Sequence, residues 1–292
     1  MSSWWRNYSL LAVCWGLPFY FIMLALHSFV PVQIAFGRLI IGAVVLWLVV
    51  LLTRTALPKN KILYAHLFVQ ALFLNSVPGV LFATAEQHVS SIMAGIFNGM
   101  TPLFALLATM TLFREQAPTV AQKVGLALGF VGVLIVLGVW QGIGSSSWQG
   151  FSLLLLAVTG YGISFPYSRR YVIPHGAAPN AIAAVQVSFG AIQLLPFMVA
   201  TPLPEQITTQ SAFGILALGL ISTGLAYILH FRLLQTAGAI ISSTVAYWTP
   251  LVAGLAGALL LSETLTWQEP VGAVVIVFGL LIAQERLKLS RR

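Results

Sequence analysis

The chain has 292 residues, 59% of them hydrophobic and 7% charged, with a mean hydropathy of +0.95. A soluble domain carries about 25% charged residues, so a water-facing globular surface is excluded and the bilayer is the natural solvent. The net charge of +8 does not indicate nucleic acid, because the Lys and Arg residues lie between or after apolar runs, where they orient membrane helices.

Ten apolar runs follow one another, at 8–26, 33–53, 63–86, 90–113, 119–139, 149–170, 179–200, 211–235, 239–262 and 267–285. Each is long enough to cross about 30 Å of hydrocarbon as a helix. None alternates in polarity as the roughly 10-residue strands of a membrane barrel do. The first run ends at His27 and Pro31 without a small-residue cleavage site, so it reads as a retained helix rather than a signal peptide. The connections are short, and none has room for a soluble domain. The lone Cys14 lies inside the first run and allows no disulfide or thiolate metal site within the chain.

Charge placement tests this division. With the N-terminus in the cytoplasm and ten alternating helices, one side receives Arg6, Arg54, Lys59, Lys61, Arg114, Lys123, Arg169, Arg170, Arg232, Arg286, Lys288, Arg291 and Arg292. That is 13 of the 14 basic residues; the other is Arg38, inside the second run. A wrong helix count would scramble this asymmetry. Both termini are expected in the cytoplasm.

The chain also repeats itself. Met100-Thr101-Pro102-Leu103, leading to Glu115, recurs as Trp248-Thr249-Pro250-Leu251, leading to Glu263; the offset is 148 at both ends (249−101 and 263−115). The same offset links Pro31 to Pro179, Gly42 to Gly190 and Gln87 to Gln235. Gly125 and Gly132 match Gly272 and Gly279 one residue out of step. Each copy then holds five helices, 1–143 and 144–292. Five is odd, so the second copy enters the membrane in the opposite sense, the arrangement of inverted-repeat transporters.

These motifs resemble an EamA-type domain: Trp15-Gly16, Arg38, then Pro102-Leu103 and Glu115 followed by Gly125, Gly129 and Gly132. Its second copy is Pro250-Leu251, Glu263, Gly272 and Gly279. Two such domains make the ten-helix drug/metabolite transporter superfamily, and the resemblance covers nearly the whole chain. It implies an all-α protein of a bacterial inner membrane that exports or exchanges small metabolites, amino acids included.

Candidate site residues follow from helix breaks and mid-helix polar groups. Proline frees a backbone carbonyl, which in lipid must face protein or a water-filled cavity. Pro18, Pro78, Pro102, Pro166 and Pro250 are therefore breaks or gates, with a packing kink as the bland alternative. Trp15, Tyr20, Asn75, Asn98, Thr101, Tyr161, Thr223, Tyr227, Thr244, Tyr247 and Trp248 supply aromatic walls and neutral hydrogen-bonding groups suited to a small amphipathic solute. Interhelical hydrogen bonding competes with that reading for Asn and Thr. Arg38 is read first as a structural or gating group and second as a substrate contact; the mirror position holds Gln186. Glu opposes the dipole at a helix C-terminus, so Glu115 and Glu263 are structural, pairing with a loop or capping another helix. The glycine ladders are packing seams.

No mid-helix carboxylate and no P-loop occur, so a cationic multidrug pump and an ATP-driven one are disfavoured. Glu86 and the histidines remain able to titrate. No cofactor or metal is expected. The expected activity is secondary transport of an amphipathic metabolite, an amino acid foremost, by a monomer or weak dimer. Uptake of a carboxylate or other nutrient is the alternative, and an intramembrane enzyme or a non-transporting receptor is the reading from another class.

Overall fold

Four helix starts are fixed by side chains. Asn60 Oδ1 accepts from Ile62 N at 2.9 Å, Ser90 Oγ from Met93 N at 3.2 Å, and Thr208 Oγ1 from Ser211 N at 3.1 Å. Thr119 and Gln122 cap each other reciprocally, at 3.2 and 3.0 Å. Proline opens two further helices, Pro31 and Pro179, where its missing N–H costs nothing.

The computed structural model describes residues 4–113, 119–138, 145–230, 232–233, 236, 245 and 248–283. Among them no strand occurs. Eight helical stretches are long and apolar enough to cross a membrane, and they include α1 (Trp4–Ala25), α2 (Pro31–Leu52), α3 (Lys61–Ala85), α4 (Ser91–Thr111) and α5 (Val120–Leu137). The others are α6 (Ser145–Tyr171), α7 (Pro179–Val199) and α8 (Thr209–His230). Two shorter apolar helices follow, α9 (Thr249–Leu260) and α10 (Gln268–Ala283). The protein is a multi-pass membrane protein. Large apolar side chains such as Val44, Leu52, Leu156, Phe197 and Leu259 point outward, as lipid contact requires and water would not tolerate.

The starts differ from the hydropathy reading by up to four residues, apart from the ninth run, whose start at 239 lies outside the described residues. α2 begins at Pro31 rather than 33, and α3 at Lys61 rather than 63, because the proline and the Asn60 cap set the first turn and hydropathy does not. Glu115, Thr244 and Tyr247 lie outside the described residues.

The expected breaks are of three kinds. α4 is interrupted at Gly99–Met100, just before Thr101-Pro102, and the Thr101 hydroxyl donates to Asn98 O at 2.7 Å. α1 bends at Leu17 before Pro18, yet Leu17 keeps backbone bonds to Val13 O and from Phe21 N. α3 takes a π-turn over Leu72–Ser76, since Pro78 has no N–H for Leu74 O and the Val77 N–H reaches Leu72 O instead. One expectation is corrected: α6 runs on through Pro166 without a break, losing only the bond to Gly162 O.

A second π-turn, over Leu220–Leu225 in α8, lies 148 residues after the first (220−72). In each, a hydroxyl takes a carbonyl five residues back: Ser76 Oγ to Ala71 O and Thr223 Oγ1 to Leu218 O, both 3.2 Å.

Contacts between helices exchange partners under the repeat. A Cβ on Gly42 (α2) would collide with Thr223 of α8, and one on Gly190 (α7) with Asn75 of α3. Adding 148 to 42 and subtracting it from 223 converts one pair into the other. Gly16 meets Val252 as Gly162 meets Phe104. α5 and α10 pack on each other through Gly125, Gly132, Gly272 and Gly279, each facing the opposite backbone. Small residues let these helices approach to backbone contact.

Candidate functional site

The first π-turn turns Asn75 inward, where it is 1% exposed. Its Oδ1 accepts from Gln186 Nε2 of α7 at 2.7 Å. The Tyr227 hydroxyl of α8 reaches the same side chain, and Arg38 of α2 and Tyr161 of α6 lie close enough to act electrostatically on that phenol. Five helices therefore send a polar or aromatic group to one place. Arg38 stands seven residues past Pro31, about 10 Å of rise into α2. Its Nε is buried and has no hydrogen-bond partner among the described residues. Gln186 stands seven residues past Pro179, the same position in the second copy.

The partners around this cluster are already tied down. Ser76 Oγ donates to Gln193 Oε1, and Gln193 Nε2 donates to Phe68 O at 2.7 Å. Trp47 Nε1 donates to Ser188 Oγ at 2.9 Å, joining α2 to α7. Thr223 is fully buried against Gly42, so it acts as part of the wall rather than as a free donor.

The other expected residues form a second group where α4, α9 and α1 meet. Gly99, at the α4 break, lies against Pro250 at the start of α9, and Gly95 against Ala253. The two Thr-Pro elements thus touch. Asn98 is half-buried beside Thr101. Trp248, directly before Thr249, is 49% exposed. Trp15 does not join either group: it packs on His230 with ring centroids 5.1 Å apart. Tyr20 packs beside Phe21 at 5.4 Å. Tyr161 faces Phe82 at 5.6 Å. Ser164 Oγ donates back to Tyr161 O at 2.7 Å.

Two things escaped the sequence reading. Gln186 figured only as the mirror of Arg38, although its amide completes the Asn75 cluster. His66 also went unnoticed: it bonds Tyr167 at 2.9 Å and stacks on Tyr171 at 5.1 Å, beside His175. Its signal was a histidine early in α3 facing the Tyr167/Tyr171 spacing of four on α6, visible only once the two helices are known to pack.

Glu263 accepts three bonds from the start of α4: Ser91 N at 2.9 Å, Ser91 Oγ at 3.0 Å and Ile92 N at 3.1 Å. A carboxylate there satisfies open N–H groups and complements the positive helix end. Ser262 makes this possible by adopting a left-handed φ of 55°, with Glu263 N bonding back to Gly257 O at 3.0 Å. A Cβ on Gly257 would fall 2.5 Å from Glu263 Oε2. Among the described residues no group of three His, Cys, Asp or Glu side chains is placed to hold a metal ion.

A bundle of apolar helices with interrupted segments and a buried polar junction defines a membrane transporter. The chain belongs to the EamA-like transporter family, which matches residues 8–138 and again 148–283. It is 26% identical over 276 residues to the "Uncharacterized inner membrane transporter YedA" of Escherichia coli, covering 93% of this chain and 87% of that one. It is 24% identical to an "Uncharacterized transporter" of Archaeoglobus fulgidus, over 95% and 97% of the two chains. With a "Probable amino-acid metabolite efflux pump" of Salmonella typhimurium it shares 25% identity over 94% and 92%. A solved crystal structure superposes with a TM-score of 0.69 over 99% of both chains at 15% identity, which establishes the fold alone.

Proposed function

We propose that this transporter exports or exchanges small amphipathic metabolites, amino acids foremost, by alternating access across a bacterial inner membrane. Ten spans form two inverted five-helix units, 1–143 and 144–292, with both termini cytoplasmic. The exchanged contact pairs and the paired π-turns support the inversion; the one-sided basic residues support the orientation.

The junction of Asn75, Gln186, Tyr227 and Arg38 carries the substrate reading. A neutral amide and phenol beside one cation match the carboxylate and polar body of an amino acid, and the unpartnered Arg38 Nε suits an anionic oxygen. Tyr20, Asn98, Thr101, Tyr161, Thr244, Tyr247 and Trp248 complete the proposed lining, while Trp15 and Thr223 are left to packing. Pro18, Pro78, Pro102 and Pro250, with Arg38, mark where helices yield. Rocking of one unit against the other would expose the junction to each side in turn.

The test is flux of a metabolite panel in proteoliposomes, with and without a pH gradient. Amino-acid flux is expected; flux of sugars or cations with none of amino acids would sink the substrate reading. Trp248→Ala is expected to lower flux about tenfold, the worth of one lost aromatic contact, with folded protein retained. Unchanged flux would move Trp248 to a packing role.

A further inference from the structure

Three carboxylates gather at the end of the bundle where α3 stops and α4, α9 and α10 meet. Two of them are met by hydrogen-bond donors. Glu263 takes three donors from Ser91 and Ile92. Glu269 takes Thr266 N at 2.7 Å and Thr266 Oγ1 at 3.2 Å. Glu86 is different. It directly follows the last residue of α3, is 3% exposed, and neither of its oxygens has a hydrogen-bond partner among the described residues. Glu263 lies close enough to act on it electrostatically, as a second acid.

An ionised carboxylate buried without donors costs several kcal/mol. Sharing the space with a second, fixed carboxylate adds to that cost. No described residue donates a hydrogen bond to it, and His88, two residues along the same turn, is the titratable group beside it. α6 sets Gly150 against Val89, His88 and Ala85 O of the turn around Glu86. α2 carries Arg38, which acts electrostatically on Tyr227. His27, at the end of α1, turns back on Met23 O and Leu24 O. Glu269 lies within electrostatic reach of Glu263. The site is built for a neutral acid.

We propose that Glu86 is a proton-binding site that latches this end of the transporter. Protonated, it packs neutrally against the Glu263-capped start of α4. Loss of that proton to bulk water leaves two carboxylates within electrostatic reach of each other, which push the end of α3 away from α4. Burial first, then the field of Glu263, holds the Glu86 carboxyl well above the ordinary carboxylate value of 4.5. Above that value only the folded chain keeps the proton, so stability falls as pH rises toward the raised value. That the proton comes from the outside of the cell rests on the proposed topology; the site itself depends on no particular substrate.

The test needs no substrate and so stands apart from the transport reading. The full chain is reconstituted in phosphatidylethanolamine–phosphatidylglycerol vesicles, and its protonated-carboxyl infrared band is followed from about pH 5 to about pH 9. Expected are a band that persists at neutral pH and fades on alkalinisation, its loss in Glu86→Gln, and a shift of its midpoint toward acid in Glu263→Gln. Thermal unfolding of the wild type should fall with rising pH, and that of Glu86→Gln should fall less steeply. A wild type with no such band at neutral pH, or a band undiminished in Glu86→Gln, overturns the proposal. If Glu86→Gln fails to fold, the Glu263→Gln shift decides: a midpoint that stays put overturns it as well.

Discussion

Replacing Glu263 by alanine is expected to lower stability by about 2–4 kcal/mol, the sum of a lost helix cap and lost hydrogen bonds to a charged acceptor. Three donors at the start of α4 are left open together: Ser91 N, Ser91 Oγ and Ile92 N. Glu263→Gln keeps the shape but loses the charge and one lone-pair-rich oxygen, so it should recover about half of the deficit. The measurement is the thermal midpoint of the purified protein in detergent. Equal midpoints for wild type and Glu263→Ala would mean that the carboxylate does not hold α4. Gly257→Ala should act through the same contact, because its methyl would displace the Glu263 oxygen that caps Ile92.

The seam between α5 and α10 should be the least forgiving place in the bundle. A Cβ at Gly132 would lie 2.7 Å from Ile276 Cγ1 and 2.9 Å from both Gly272 O and Ile276 N. Backbone atoms cannot rotate away as a side-chain tip can. Gly132→Ala is therefore expected to destabilise by about 1–3 kcal/mol through overpacking, and Gly132→Leu to abolish folded protein. Gly254 in α9 is the control, since a Cβ there meets nothing within 4 Å. Gly254→Ala should be neutral or stabilising by up to about 1 kcal/mol. Size-exclusion profiles and thermal midpoints of the two alanine variants compare them directly; a tolerated Gly132→Ala would defeat the backbone-contact account.

The helices were legible because lipid imposes a simple rule on the chain: long apolar runs, with charge pushed to the connections. Helix starts were less legible because they depend on single residues. Asn60 and Pro31 each begin a helix two residues before hydropathy does. The breaks at Pro18, Pro78 and Pro102 could be read from proline. The π-turn in α8 could not, since Leu220–Leu225 contains no proline. Candidate residues were chosen by type and depth, which cannot say who meets whom. Asn75, Tyr161, Tyr227 and Arg38 converge, whereas Trp15 goes to His230 and Thr223 is sealed behind Gly42. The Asn75–Gln186 pair spans 111 residues of sequence, and only packing of α3 on α7 reveals it. For Glu263, residue type and position at a helix end suggested a cap or a loop partner. The identity of that partner, 172 residues earlier, lay beyond local sequence.

The two π-turns also set the rotational phase of their helices. Each inserts one residue beyond the α-helical repeat, and one residue corresponds to about 100° of turn. Everything after Ser76 in α3, Phe82 included, and Glu86 just beyond its end, is aimed by that insertion. Deleting a single residue from Leu72–Ser76 would leave the composition and the hydropathy of α3 almost untouched. It would nevertheless swing Phe82 away from Tyr161 and Phe19, and Glu86 away from Glu263. The dial that aligns the far end of this helix is thus one residue in its middle, and the second half carries its own copy of that dial at the same place.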